Sequence, residues 1–73
     1  MLTTATAHNH VQETASNTWT IVHNLNVTAP IVDCYVEIDG VFNKIIPLDV
    51  VVVDATTVQI LWSENRTGKA RVV

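Results

Sequence analysis

Apolar residues along this chain recur at every second position, the pattern of strands with one buried face. Between Thr18 and Val22, Trp19 and Ile21 share one side, and Thr18, Thr20 and Val22 the other. From Ile31 to Ile38 the alternation gathers Val32, Cys34, Val36 and Ile38 opposite Asp33, Tyr35 and Glu37. The first of these sets is the predicted core face. Asp39-Gly40 then separates two alternating runs, the strongest short-range signal of a hairpin. Val41–Ile46 is the predicted return strand, and Pro47, which has no N–H to donate, marks a strand start or an edge.

Further on, Asp49–Asp54 reads DVVVVD and is apolar on both faces, which predicts a strand covered on each side. Asp54-Ala55-Thr56 reads as a turn. Thr57–Ser63 predicts a strand with Val58, Ile60 and Trp62 inward and Gln59 and Leu61 outward. Glu64–Gly68 reads as a polar loop, and Lys69–Val73 as a last strand with Ala70 and Val72 inward. Upstream, Thr3–Ala15 is polar and Thr-rich, either a first strand or, over residues 1–9, an extended arm. Six or seven short strands and no helix predict one all-β domain over residues 1–73. Its expected form is a small antiparallel β-sandwich or barrel.

Composition sharpens this picture in one respect. A chain of 8.0 kDa buries only about 60% of its unfolded surface, a marginal core that calls for a disulfide, a metal or a partner. Cys34 is the only cysteine, so no intrachain disulfide forms. Apolar residues make up 48% of the chain and charged ones 15%, a greasy surface that points to permanent contacts with other chains. Net charge is −3 with four scattered basic residues, which disfavours nucleic acid. No apolar run reaches the roughly 18–20 residues of a membrane helix, and the N-terminus has no signal-peptide pattern.

Candidate chemistry is sparse. His8-Asn9-His10 shares its letters with a nuclease motif, but has neither the spacing nor the helix of such a unit. In a strand His8 and His10 project to one face, yet two ligands per chain fall short of the usual four. Cys34 alternates with Val32 and Val36, a small core residue rather than a nucleophile, an intermolecular bond being the other use of an odd cysteine. Trp19, Tyr35 and Trp62 could stack on sugar rings, but both tryptophans fall on predicted inner faces. Asp33, Glu37, Asp39, Asp49 and Asp54 sit at faces and turns as solvated carboxylates. The glycosylation patterns at Asn26 and Asn65 are discounted without a signal peptide. No catalytic set, metal site or cofactor is expected.

The order of features resembles a small domain of bacteriophage tail-fibre and minor virion structural proteins. The matching pieces are His10 and Gln12, Ala15-Ser16, and the W-x-I-x-HNL block formed by Trp19, Ile21, His23, Asn24 and Leu25. Pro30-Ile31-Val32, Asp39-Gly40, Asp54-Ala55-Thr56-Thr57-Val58 and Gly68-Lys69-Ala70 follow, so the likeness covers about residues 10–73. Where such sequences have Gly after the Leu, this chain has Asn26, which tolerates a left-handed backbone.

The resemblance implies a non-enzymatic, all-β virion domain that works in oligomers, often trimers, beside other virion proteins. It would be assembled in the host cytoplasm as part of a tail, fibre, neck, collar or capsid attachment. A chain that opens on Met1 and ends with its last strand reads as a whole small gene product. The other expectation is a receptor- or carbohydrate-binding module that meets a host surface. Trp19, Ile21, His23, Asn24, Leu25, Asn26, Asp39, Gly40 and Trp62 are the expected fold and turn signature. His23 and Asn24 are expected to hold the loop through side-chain hydrogen bonds, with Leu25 closing the core.

Overall fold

A computed structural model describes residues 7–73, and among these residues there are five strands. They are β1 (His8–Val22), β2 (Val32–Ile38), β3 (Val41–Lys44), β4 (Asp49–Asp54) and β5 (Thr57–Val72). All pair antiparallel in one sheet, with the order β1-β5-β2-β3 and β4 also on β5. The described residues include no helix. Residues 1–6, and with them most of the expected arm, lie outside the described part.

β5 organises the molecule because it is long enough to hold two neighbours in succession on one side. Its first half pairs with β4, from Thr57↔Asp54 to Leu61↔Asp49. Its second half pairs with β2, from Gly68↔Val36 to Val72↔Val32. Along its other side runs β1, from Val22↔Thr57 to His8↔Val72, with register shifts on both sides of Ser16. Straight, the nine steps from His10 to Trp19 would span about 30 Å at ~3.3 Å per residue. The two ring centroids are 6.3 Å apart, so β1 folds back over itself at the irregularity. Both halves of the sheet thereby feed one core, in which Trp19, Ile21, Val58 and Ile60 meet Cys34, Val36, Ala70 and Val72.

The fold-back also resets the alternation. In β1 the more buried positions are even from His8 to Gln12 and odd at Trp19 and Ile21, a phase change that an inserted residue produces. β5 keeps one phase throughout, with Val58, Ile60, Trp62, Gly68, Ala70 and Val72 all buried. Five strands appear where six or seven are expected, because two predicted breaks are continuous strand. Ser16-Asn17, between the expected strands Thr3–Ala15 and Thr18–Val22, lies inside β1, and Glu64–Gly68 lies inside β5, where Arg66 pairs with Ser16 and Gly68 with Gln12. Backbone pairing carries the chain through these polar stretches, where the side chains have little apolar surface to bury.

Two smaller corrections follow from strand position. β4 is not covered on each side: among the described residues it pairs only with β5, and Val51, Val52 and Val53 are 37%, 43% and 52% exposed. Ile38, expected in the core, is exposed at the end of the β2–β3 hairpin. The hairpin turn matches expectation, Asp39 and Gly40 both having positive φ (51° and 79°).

Candidate interaction surfaces

The W-x-I-x-HNL block is built into the fold at every position. Trp19 is fully buried, and its Nε1–H is shared between the carbonyls of Ser16 and Arg66, each at 3.1 Å. One indole therefore ties β1 to β5 at the point where both bend. Ser16 supports the same irregularity, its Oγ donating to Thr18 O at 2.9 Å and accepting from Thr18 N–H at 3.2 Å. Trp62 packs on Trp19 at 5.1 Å between ring centroids, tilted by 58°.

Beyond Ile21 the strand ends in a loop that wraps the β4–β5 turn. The N–H groups of His23 and Asn24 both donate to Thr56 O, at 2.8 and 3.2 Å, and Val27 N–H donates to Ala55 O at 3.0 Å. His23 is buried, and its Nδ1 accepts the Leu25 N–H at 3.1 Å, so Nε2 carries the proton in the neutral ring. That Nε2, like Trp62 Nε1, has no hydrogen-bond partner among the described residues. Asn24 differs from expectation: its part is played by the backbone, at φ 56°, rather than by a side-chain hydrogen bond. Asn26 takes the left-handed conformation expected of it, at φ 55°, and Leu25 packs against the core. The turn it wraps is closed by Asp54, whose Oδ1 accepts from Thr56 N–H and Thr56 Oγ1–H at 2.8 and 2.7 Å. Those bonds favour the ionised carboxylate and lower its pKa from 3.8.

The remaining candidates do not converge. His8 and His10 share a face, but His10 Nε2 lies 2.7 Å from Gln12 Oε1, and no cluster of three metal-ligating side chains occurs among the described residues. Cys34 is buried in the core, and desolvation, with Asp33 beside it, pushes its thiol up to about 11. Trp19 and Trp62 are both buried and offer no face to a sugar, whereas Tyr35 lies on the outer side of the sheet.

What the molecule does present is apolar surface. Ile46 and Leu48, between β3 and β4, are 92% and 72% exposed, and Ile31 is 66% exposed. On the outer face of the β1–β5–β2–β3 region, a shallow groove of about 540 Å³ is lined by Val11, Tyr35, Phe42, Lys69 and Arg71. Lys69 Nζ stands 4.2 Å from the Phe42 ring centroid and 5.9 Å from that of Tyr35, a cation resting on aromatic faces. Ser16 and Gly68, which the sequence marks only as parts of the resemblance, are structural positions at the bend and at the β2–β5 contact. The signal for Gly68 was its place as one of two glycines in a strand-forming chain.

Comparison with known proteins finds no family model, no characterised protein and no solved structure that matches the chain.

Proposed function

We propose that the chain is a non-enzymatic structural protein of a bacteriophage virion. It would act as an oligomeric subunit of a tail, fibre, neck, collar or capsid-attached assembly. The observation that carries this reading is the exposed apolar surface on so small a domain. Ile31, Ile46, Leu48, Val51, Val52 and Val53 all stand exposed, apolar surface that a neighbouring subunit would remove from water. The likeness of the Trp19–Leu25 block to virion domains supplies the setting, and its burial supports a role in the fold. In this reading the folded-over sheet is a small β-sandwich, and neighbouring subunits, in trimers by that likeness, complete its burial.

Two measurements test the proposal. Size-exclusion chromatography with light scattering is expected to return a discrete oligomer at micromolar concentration. Mass spectrometry of gradient-purified particles, with antibody labelling, is expected to place the chain on the virion in fixed copy number. A stable monomer absent from particles would overturn it.

A second reading, a receptor- or carbohydrate-binding module, has one observation in its favour: the groove with Tyr35, Phe42, Lys69 and Arg71. Its tryptophans are unavailable for stacking, and Lys69 already covers Phe42. Glycan-array binding lost on Tyr35→Ala would favour it over the structural reading.

A further inference from the structure

The groove on the outer face of β5 carries a charge opposite to that of the whole chain. Asp and Glu outnumber Lys and Arg by seven to four, yet Lys69 and Arg71 line this groove and no carboxylate does. We propose that the groove binds an acidic sugar, a ring bearing a carboxylate or phosphate, with the anionic group held between Lys69 and Arg71. The inference goes beyond the structural reading. It names the ligand class for the carbohydrate reading of the same groove and rests on that reading.

Three observations carry it. First, Lys69 and Arg71 are the cations without a counter-ion. Lys44 pairs with Asp33 at 3.3 Å and Arg66 with Glu64 at 2.6 Å, whereas among the described residues Lys69 and Arg71 make no ion pair. Residues 1–6 contain neither Asp nor Glu. Asp33 lies across from Arg71 on β2, but its carboxylate is taken up by Lys44.

Second, the two cations are placed to act on one group. They stand two positions apart on one face of β5, about 7 Å at ~3.3 Å per residue. Lys69 Nζ rests 4.2 Å from the Phe42 ring centroid, which positions the ammonium and leaves N–H bonds for an anion. Arg71 adds a planar fork that matches the oxygens of a carboxylate or phosphate. Glu13 and Glu37 line the adjoining hollow with Thr67, so repulsion turns the acidic end of a ligand toward Arg71.

Third, the floor of the groove favours a sugar over an acidic peptide. Tyr35, Lys69 and Arg71 each have strand partners on both sides, so the backbone beneath the groove is engaged in the ladders. A peptide laid there finds none of the main-chain partners that an open sheet edge supplies. A sugar needs none. Its hydroxyls meet the side chains of Asn9, Tyr35 and Arg71, and its apolar ring face meets Val11. At about 540 Å³ the groove falls within the ~300–1,000 Å³ of small-ligand sites.

The test applies the full chain to an array of neutral, carboxylated and phosphorylated glycans. Titration calorimetry follows, with the strongest binder of each class and with triglutamate. Acidic glycans are expected to be retained, and the two acidic classes compared show which anion is preferred. Lys69→Gln and Arg71→Gln are each expected to weaken binding about tenfold or more, the size of a lost charge-assisted hydrogen bond. Lys69→Arg is expected to keep binding, which separates charge from packing on Phe42. Arg66→Gln removes a charge outside the groove and is expected to change nothing. Tryptophan emission identical to the parent's confirms that each variant is folded.

Retention of neutral glycans alone would overturn the acidic class while leaving the carbohydrate reading intact. An array that retains no glycan would sink both. Triglutamate bound as tightly as the acidic glycan would overturn the sugar in favour of an acidic peptide. Folded Gln variants that bind like the parent would overturn the site.

Discussion

Gly68 sits where β5 passes between Gln12 of β1 and Val36 of β2, and the structure leaves no room there for a side chain. A Cβ would intrude on the carbonyl oxygen of Tyr35, with the Tyr35 carbonyl carbon and Val36 Cα each at 3.0 Å. These are backbone atoms of a paired strand, so no change of rotamer relieves the clash and the β2–β5 ladder has to open. Overpacking that side chains can absorb costs about 1–3 kcal/mol, and a displaced backbone belongs at or above the top of that range. Whole-domain stability at ~0.05–0.15 kcal/mol per residue is roughly 4–11 kcal/mol for a chain of this length. A loss of about 3 kcal/mol therefore removes a large fraction of it. At about 4–8 °C per kcal/mol, Gly68→Ala is expected to lower Tm by roughly 12–24 °C. Tryptophan fluorescence follows the transition directly, since Trp19 and Trp62 are both in the core. Protein concentration must be held fixed, because the Tm of an oligomer depends on it. Gly40→Ala is the control: its Cβ meets nothing within 4 Å, and its φ of 79° carries only the left-handed penalty of about 1–2 kcal/mol. A Gly68→Ala melt within about 3 °C of the parent would refute the close approach of β5 to β2.

Asn24→Gly is expected to leave Tm near the parent value, whereas Asn24→Val pays the left-handed penalty of about 1–2 kcal/mol at φ 56°. Equal melts for the two would show that the Asn24 backbone is not what shapes the loop. Native Cys34 is expected to resist a thiol reagent at pH 8 and to react fully on unfolding in guanidinium. Its folded pKa of about 11 lies above the ordinary 9.0, so an unfolded chain sheds the proton first. Stability is therefore lost between pH 9 and 11, and Cys34→Ala should flatten that slope in urea melts at stepped pH. Asp54 behaves in the opposite sense: its lowered pKa contributes stability above pH 3.8 that is lost as pH falls through the folded value. Asp54→Asn keeps an acceptor for Thr56 and should show a shallower acid decline; an unchanged one would remove Asp54 from the acid response.

Local chemistry made some features readable and long-range pairing hid others. Asp39-Gly40 announces its turn because few residues accept positive φ in succession. Trp19, Ile21, Val58 and Ile60 announce their face because a period of two has only one solution when one side is greasy. Glu64–Gly68 could not be read as strand, since its exposed polar side chains Glu64 and Asn65, following the exposed Ser63, carry no alternation. It is strand because β1 lies alongside. The phase change in β1 was hidden for a related reason. Ser16 looks like any polar residue until Trp19 Nε1 and the Thr18 backbone are seen to close around it. The four valines of β4 misled by their composition, because an apolar run signals cover on both faces without saying which molecule provides it.

So small a chain, with a single cysteine, folds without an internal disulfide by using its strands twice. A sheet that bends over its own core gains a second layer from the same strands, and β5 serves both layers by pairing with β4 and then with β2. Bending has a geometric consequence, however. Partners for β5 are divided between the two halves, so each half is narrow and reaches an edge after three or four strands. In the β1–β5–β2–β3 half, the far edge is the short, lysine-bearing β3. In the β1–β5–β4 half, both edges are unguarded and the outer one is a row of valines. If those edges were meant for solvent, selection for solubility would favour a lysine at Val51 or Val53, where the side chain points away from the core. The valines kept there fit the reading of the chain as an oligomeric subunit: the economy of the bent sheet leaves one layer unfinished, and a neighbouring subunit would complete it.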